Sequence, residues 1–451
     1  MVTEELLDRG SVLVKVPRRL LMTLTTAQAS PEYGTLIVSA GLNEWQALLL
    51  HLLAERAQGP LSFWAPYLAV LPDQLQHPLF SISELLVMLQ GSPMALELAG
   101  REEQIQSDTE VLLISGANDL PLALQYQAQH HVELVTTESV RWAAATLVSR
   151  AFNLDLSEEE PLEGDMSYFG TWQPVPDVLA LVPWADMLCH TSEAGPESCL
   201  RYNSDLGAVT LAAHKDYEAG EEVFDSYGPK LSPSELMLNY GFVDEKCTNF
   251  LWEAHPGNTV PVRASRNRAL LEALEKMQGP ARVVLSPDGP DEILLATVRA
   301  SLATDAELVR SGWRIRATAD ETESACRVMA KLSEPISSAS EAKVLQHLAT
   351  YVQLQQSKYP STLEEDIATL QDTSLSGLRV AVLRALVSEK TSLQGSLMVV
   401  QRWQAALAEG CAPEDLYNWD DGLEDIEEEE WEDEAEAIPE PVRRRSSGSR
   451  R

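Results

Sequence analysis

Basic residues are scarce in this chain. Its 451 residues include 34 Lys and Arg against 69 Asp and Glu, a formal net charge of -35. Residues 411–451 hold 15 acids and 5 arginines, or -10, so the other 410 residues still carry -25. Phosphate backbones repel so acidic a body, which argues against direct nucleic-acid binding and for a basic protein or peptide partner. Cysteine is sparse as well. Cys189, Cys199, Cys247, Cys326 and Cys411 form no CxxC pair, so neither a disulfide framework nor a zinc site is expected. Cys189, His190 and Cys199 read as buried thiols beside a structural histidine, and no metal is assigned. Long apolar runs are missing too. No stretch of about eighteen uncharged apolar residues exists, so no transmembrane helix and no membrane partner are expected. The opening MVTEELLDRGSVLVKVP lacks a basic segment followed by an apolar one, and it is not of the Arg- and Ser-rich transit type. An intracellular protein is expected, with chloroplast, cytoplasm and nucleus all open.

Apolar residues make up 45% of the chain, enough for a buried interior, and the length calls for two or three domains. Ser11–Val16, ending at Pro17, has the Val-rich alternation of a half-buried strand. From Leu42 to Arg56 the pattern is helical. Asn43 is placed to cap it, and Trp45, Leu48, Leu49, Leu52 and Leu53 form one apolar stripe. Further helices are expected at 82–106, 121–130 and 138–152. Short strands are expected at Asp177–Val182, Ala208–Ala213 and Glu222–Ser226, among Gly, Pro, Ser and Asn clusters. Beyond about 260 the pattern turns helical, near 263–277, 291–310, 319–334, 338–356, 361–370 and 376–408. Residues 413–440 are mostly carboxylates and cannot bury enough apolar surface to offset chain entropy, so the 411–451 tail is expected to be disordered.

Three segments stand out. Trp142 precedes Ser149-Arg150-Ala151-Phe152. Leu181-Val182-Pro183-Trp184-Ala185-Asp186-Met187-Leu188-Cys189-His190 sets a polar pair on an apolar approach. Gly220-Glu221-Glu222-Val223-Phe224-Asp225-Ser226-Tyr227-Gly228 is followed by Asn239-Tyr240-Gly241-Phe242-Val243. Tyr followed by Gly lets backbone approach a ligand closely, and aromatic faces favour cations. Each feature alone is more often structural: a Tyr-Gly dipeptide is usually a turn, and a lone histidine usually a satisfied core residue.

Together and in this order the segments resemble the SET domain of the Rubisco large-subunit lysine methyltransferase group. The match runs through Ala185–His190, Gly220–Gly228 and Leu238–Val243. Trp64–Leu68 with Leu71-Pro72, Ser149–Phe152 and Tyr359–Asp366 extend it, so that it covers roughly residues 5–410. The resemblance implies an α+β chain. A β-rich SET core would span 1–250 with a helical insert at about 75–150. An all-α substrate-binding domain at 260–410 and the 411–451 tail would follow. It also implies a pseudoknot near the His190 and Tyr240 segments, a topology that pattern reading does not find.

The function implied is transfer of a methyl group from S-adenosyl-L-methionine to a lysine of a protein substrate, with histidine as a further acceptor, by a monomer. Tyr227 would be the catalytic tyrosine and Phe224 a wall of the lysine channel. Arg150, Cys189, His190 and Tyr240 would meet the cofactor, with Asp186 on the substrate side. Two departures stand against the family pattern. Cys189 occupies the place of an asparagine, and a thiol is a poor replacement for an amide's donors and acceptor. The family's Gly-rich strand that clamps the cofactor's methionine part is not found ahead of MVTEELLDRG, and Gly10 does not replace it, so either the sequence is incomplete or the protein lacks half of that clamp. A catalytically impaired SET-like protein-binding module is therefore the alternative.

Overall fold

The computed structural model describes residues 2–156, 178–193, 200–228, 230–254, 283–310, 328, 331–372, 374–375 and 377–418. They divide into two units. The first comprises 1–251, 358–360 and 376–390, and the second 252–357, 361–375 and 391–451.

In the first unit, small sheets alternate with a long helical stretch. Val12–Pro17 pairs antiparallel with Ala208–Ala212, which pairs on its other side with Arg201–Asn203. Ala151–Leu154 pairs with Val178–Leu181. Cys189–His190 and Phe224–Asp225 lie parallel, with Cys189 opposite Phe224 and His190 opposite Asp225. A parallel pair needs a long crossover, and the 201–212 hairpin is part of it. The first residues run beside 213–222: Leu7 and Tyr217 exchange backbone hydrogen bonds at 2.9 and 2.8 Å, and Thr3 N–H donates to Glu221 O. Alternate strand residues (Val14, Val16, Val209, Leu211, Ala180) point inward and meet Leu188, Tyr217 and Val223 in one core.

Helices run from Leu24–Gln28 to Thr137–Arg150. Capping explains their starts. Thr23, Asn43 and Thr136 each close a capping box, and Ser92 caps a helix with Pro93 at its first position. The expected 82–106 helix is two, Ile82–Met88 and Pro93–Ile114. The break has a steric cause. Gly91 sits at φ +89°, and a Cβ there would lie 2.4 Å from Lys358 O. Nearby, Glu389 is buried and accepts from Tyr359 Oη (2.8 Å), Ser92 Oγ (3.0 Å) and Ser234 Oγ (3.4 Å).

The second unit is mainly helical but includes a sheet that the expected all-α domain did not. Trp252–Ala254 pairs with Val283–Ser286, which turns through Pro287-Asp288 into Gly289–Pro290. The β-branched Val283-Val284 pair and the Pro-Asp-Gly turn account for it. Helices Glu292–Leu302 and Ser338–Gln356 pack together through a buried ion pair: Arg299 Nη2 meets Glu341 Oε1 at 2.8 Å, while Arg299 Nη1 donates to Leu332 O and Ser333 O. Tyr417 donates to Glu341 as well, and Leu416 is fully buried. Packing thus reaches Tyr417, past the expected start of the tail at 411. The rest of the tail and the expected helices at 263–277 and most of 319–334 lie outside the described residues.

Candidate functional site

Tyr227 is the hub of an aromatic cluster. Its ring lies 4.6 Å from Tyr240, 5.1 Å from His190 and 6.3 Å from Phe242, centroid to centroid. Its hydroxyl donates to Leu188 O at 2.7 Å, and its backbone N–H donates to His190 Nδ1 at 3.1 Å. The parallel strand pair places both: His190 is opposite Asp225, two residues before Tyr227. With Nδ1 accepting, His190 keeps its proton on Nε2 and donates it to Ser192 Oγ at 3.1 Å. Burial holds this imidazole below its ordinary pKa, and the charge of Asp244 pulls the other way. Asp244 itself accepts from Ser192 N–H at 2.8 Å.

Burial pushes the Tyr227 phenol well above the ordinary tyrosine range, helped by the Cys189 and Asp225 charges. Tyr240 is pushed up to about 12 for the same first reason, with Asp225 again contributing. Both hydroxyls stay protonated, and that of Tyr227 donates to Leu188 O.

Tyr240 ends a short helix, Pro233–Tyr240, that is built for this position. Ser232 and Glu235 form its capping box, and Pro233 opens its first turn. Its last carbonyls are held from outside: Arg101 Nη1 donates to Leu238 O (2.7 Å), Arg101 Nη2 to Asn239 Oδ1 (2.6 Å) and His77 Nε2 to Asn239 O (2.9 Å). Gly241 then turns the chain at φ +79°, where a Cβ would lie 2.4 Å from Gln76 O. That turn brings Phe242 back to within 6.1 Å of both Tyr240 and His190.

A second polar group adjoins the cluster. Asp186 is buried, and its Oδ2 accepts from Tyr67 Oη at 2.7 Å and meets Arg150 Nη1 at 3.4 Å. Arg150 Nη1 also donates to Asp186 O at 3.0 Å. Burial raises the Asp186 carboxyl to about 6 against the pull of Tyr67 and Arg150. Asp186 Oδ1 and Arg150 Nε are buried without a hydrogen-bond partner among the described residues. Just before them, Trp184 takes φ +79°, rare for a non-glycine residue, with its side chain 66% exposed.

The structure thus joins Tyr227, His190 and Tyr240 directly, and links Arg150 to Asp186. Cys189 turns its thiol outward, away from buried His190, as strand alternation requires. Burial and the neighbouring Glu222 keep that thiol above its ordinary pKa. Phe224 lies half-buried opposite Cys189. Sequence reasoning gave no role to Tyr67, His77, Arg101 or Phe242. Tyr67 and Phe242 stood within matched segments, but His77 and Arg101 reach the site only through tertiary contacts.

Residues 258–393 match the family model described as Rubisco LSMT substrate-binding. An actin-histidine N-methyltransferase of Mus musculus is 25% identical over 395 residues, 84% of this chain. The Homo sapiens protein of that name is 24% identical over the same share. The chain spans about 60% of the length of these curated relatives. Among solved structures, the SET domain of LSMT bound to lysine and AdoHcy superposes with TM-score 0.70 at 20% identity, over 96% of this chain and 91% of that one. Rubisco LSMT bound to AdoMet superposes with TM-score 0.68 at 20% identity, over the same shares.

Proposed function

We propose that this chain, which has the fold of the LSMT SET domain, methylates a lysine side chain of a protein, using S-adenosylmethionine as donor. The observation that carries the reading is the Tyr227 hydroxyl, anchored on Leu188 O inside a ring of His190, Tyr240 and Phe242.

The residues present fit such a cofactor. Aromatic faces suit a sulfonium. Buried Arg150 Nε and Asp186 Oδ1 have hydrogen-bonding capacity left over for polar groups of a ligand. Tyr240 would pack on the cofactor, the Cys189–His190 backbone would bond its base, and Arg150 would meet its carboxylate. When bound, the cofactor supplies an activated methyl group. The protein's part is alignment and a suited field. Tyr227 orients the acceptor nitrogen, Phe224 walls its path, and Asp186, held by Tyr67, shapes the substrate side. A lysine must lose its proton first, which at pH 7 costs roughly 4.6 kcal/mol from a reference pKa near 10.4. Water exclusion by the aromatic walls lowers that cost.

A histidine acceptor is the second reading, favoured by its sequence relatives being actin-histidine N-methyltransferases. Imidazole needs no prior deprotonation at neutral pH. A non-catalytic binding module is the third, favoured by Cys189 in place of the family's asparagine. We assign the SET part to 1–250 with its insert at about 75–150, the helical substrate domain to 260–410 and an acidic tail to 411–451. The partner would be a basic protein surface met by a monomer, in keeping with the charge of -35.

Calorimetry with S-adenosylhomocysteine, followed by labelled methyl transfer into a cell extract and mass-spectrometric assignment, tests the three together. Saturable binding and methyl-lysine support the proposal. Methyl-histidine moves the acceptor, and absence of binding leaves the module.

A further inference from the structure

We propose that Asp225 is a buried counter-charge that makes the site prefer a positively charged methyl donor to the neutral thioether left after transfer. This rests on the methyl-transfer reading above.

Asp225 is fully buried, and neither carboxylate oxygen meets a partner in full hydrogen-bond geometry among the described residues, the adjacent Ser226 amide being the one group that eases its charge. Nor does a described cation form an ion pair with it; Arg150 spends its Nη1 on Asp186. Its place in the fold is fixed by backbone: it lies opposite His190, and Thr191 N–H donates to its carbonyl at 3.0 Å. Residues paired in register share a face, so Asp225 and His190 lie on the same side, and the His190 ring lies 5.1 Å from that of Tyr227. Its charge acts on the hydroxyls of both Tyr227 and Tyr240. The titratable and charged groups around it are therefore Tyr227 on its own segment, Cys189 and His190 on the partner strand, Tyr240 on the Pro233–Tyr240 helix and Arg150 at the end of the Thr137–Arg150 helix.

A buried carboxylate without a partner is costly, and a native protein that keeps one generally has a use for it. None of the surrounding groups neutralises it. Tyr227 and Tyr240 are neutral phenols whose ionisation it opposes, and His190 is held neutral by its own bonds. What is missing is a cation at the tyrosine end of the strand. A sulfonium is one; a thioether is not.

The proton balance follows. Without a guest, burial holds the Asp225 carboxyl up at about 7, offset in part by the Ser226 amide. At neutral pH it is therefore partly protonated. A cationic guest favours the carboxylate, so the proton leaves to solvent as the guest binds. A neutral guest leaves the proton where it was. The affinity for the cation thus rises as pH rises through the carboxyl's titration, while the affinity for the thioether stays level.

The test is isothermal calorimetry on the whole chain with S-adenosylmethionine and S-adenosylhomocysteine, from pH 6 to 8.5, in buffers of different ionisation enthalpy. At pH 7 the methionine form should release about half a proton and the homocysteine form almost none. Between pH 6 and 8 the ratio of the two affinities should shift toward the sulfonium by about fivefold if that guest lowers the carboxyl's pKa by one unit, and by at most about tenfold if it lowers it further. Asp225→Asn should abolish both effects and leave the ratio flat. The wild-type series needs no variant, so it decides even if Asp225→Asn does not fold. Equal proton release by both ligands, or a flat ratio in the wild type, overturns the proposal while leaving methyl transfer intact. If neither ligand binds, the methyl-transfer reading falls and this inference with it.

Discussion

The backbone N–H of Tyr227 donates to Nδ1 of His190 at 3.1 Å, and this one bond fixes the tautomer of the histidine and the position of the tyrosine together. His190→Phe keeps a ring in the cluster but removes the acceptor, leaving the amide of half-buried Tyr227 unpaired. The variant should lose about 1–3 kcal/mol of stability, read as a lower midpoint in a denaturant titration with unchanged slope. His190→Asn, whose Oδ1 can accept, should recover part of it.

Tyr227→Phe removes only the hydroxyl that Leu188 O accepts. The rings still pack against His190 and Tyr240, so folding should survive. Labelled methyl transfer should fall at least about a hundredfold, because an acceptor held off line by an ångström reacts that much more slowly. Cofactor affinity should change little. Unchanged turnover would remove Tyr227 from its assigned role.

Gly241→Ala meets two obstacles at once, a positive φ and the Gln76 carbonyl 2.4 Å from the new Cβ. A destabilisation of roughly 1–3 kcal/mol is expected. The strain falls where Tyr240 ends its helix. Ligand binding should therefore weaken even at temperatures where circular dichroism shows the variant folded.

Glu389 carries a pH signature. Burial raises its carboxyl to about 7 despite the bonds from Ser92, Tyr359 and Ser234. Its folded pKa exceeds the unfolded one, so the folded state holds the proton more tightly. Its stabilising effect is complete below the ordinary glutamate value near 4.5 and is lost as pH rises toward 7. Glu389→Gln should flatten that part of a plot of Tm against pH, whereas a variant that follows the wild-type curve would show that Glu389 does not titrate there.

Local pattern revealed much of this structure. The 121–130 and 338–356 helices lie where periodicity puts them, since an apolar stripe and a cap are sequence-local. The Tyr227, His190 and Tyr240 cluster was legible only as a family resemblance, because nothing local says that residues 35 apart pair in parallel. Two things stayed hidden. Trp184 adopts a positive φ that its residue type disfavours, so propensity argues against what tertiary context imposes. Asp225 fell within the expected Glu222–Ser226 strand but was given no role, yet it is fully buried, and burial of a short strand depends on partners far along the chain.

The grip of Arg101 and His77 on the carbonyls of Leu238 and Asn239 has a genetic corollary. Random mutagenesis scored only for small-molecule capture should return hits between 76 and 101, in a stretch with no reagent to hold and no reaction to run. Such lesions would masquerade as pocket mutations, and a suppressor would be found by restoring a donor to the end of one eight-residue helix.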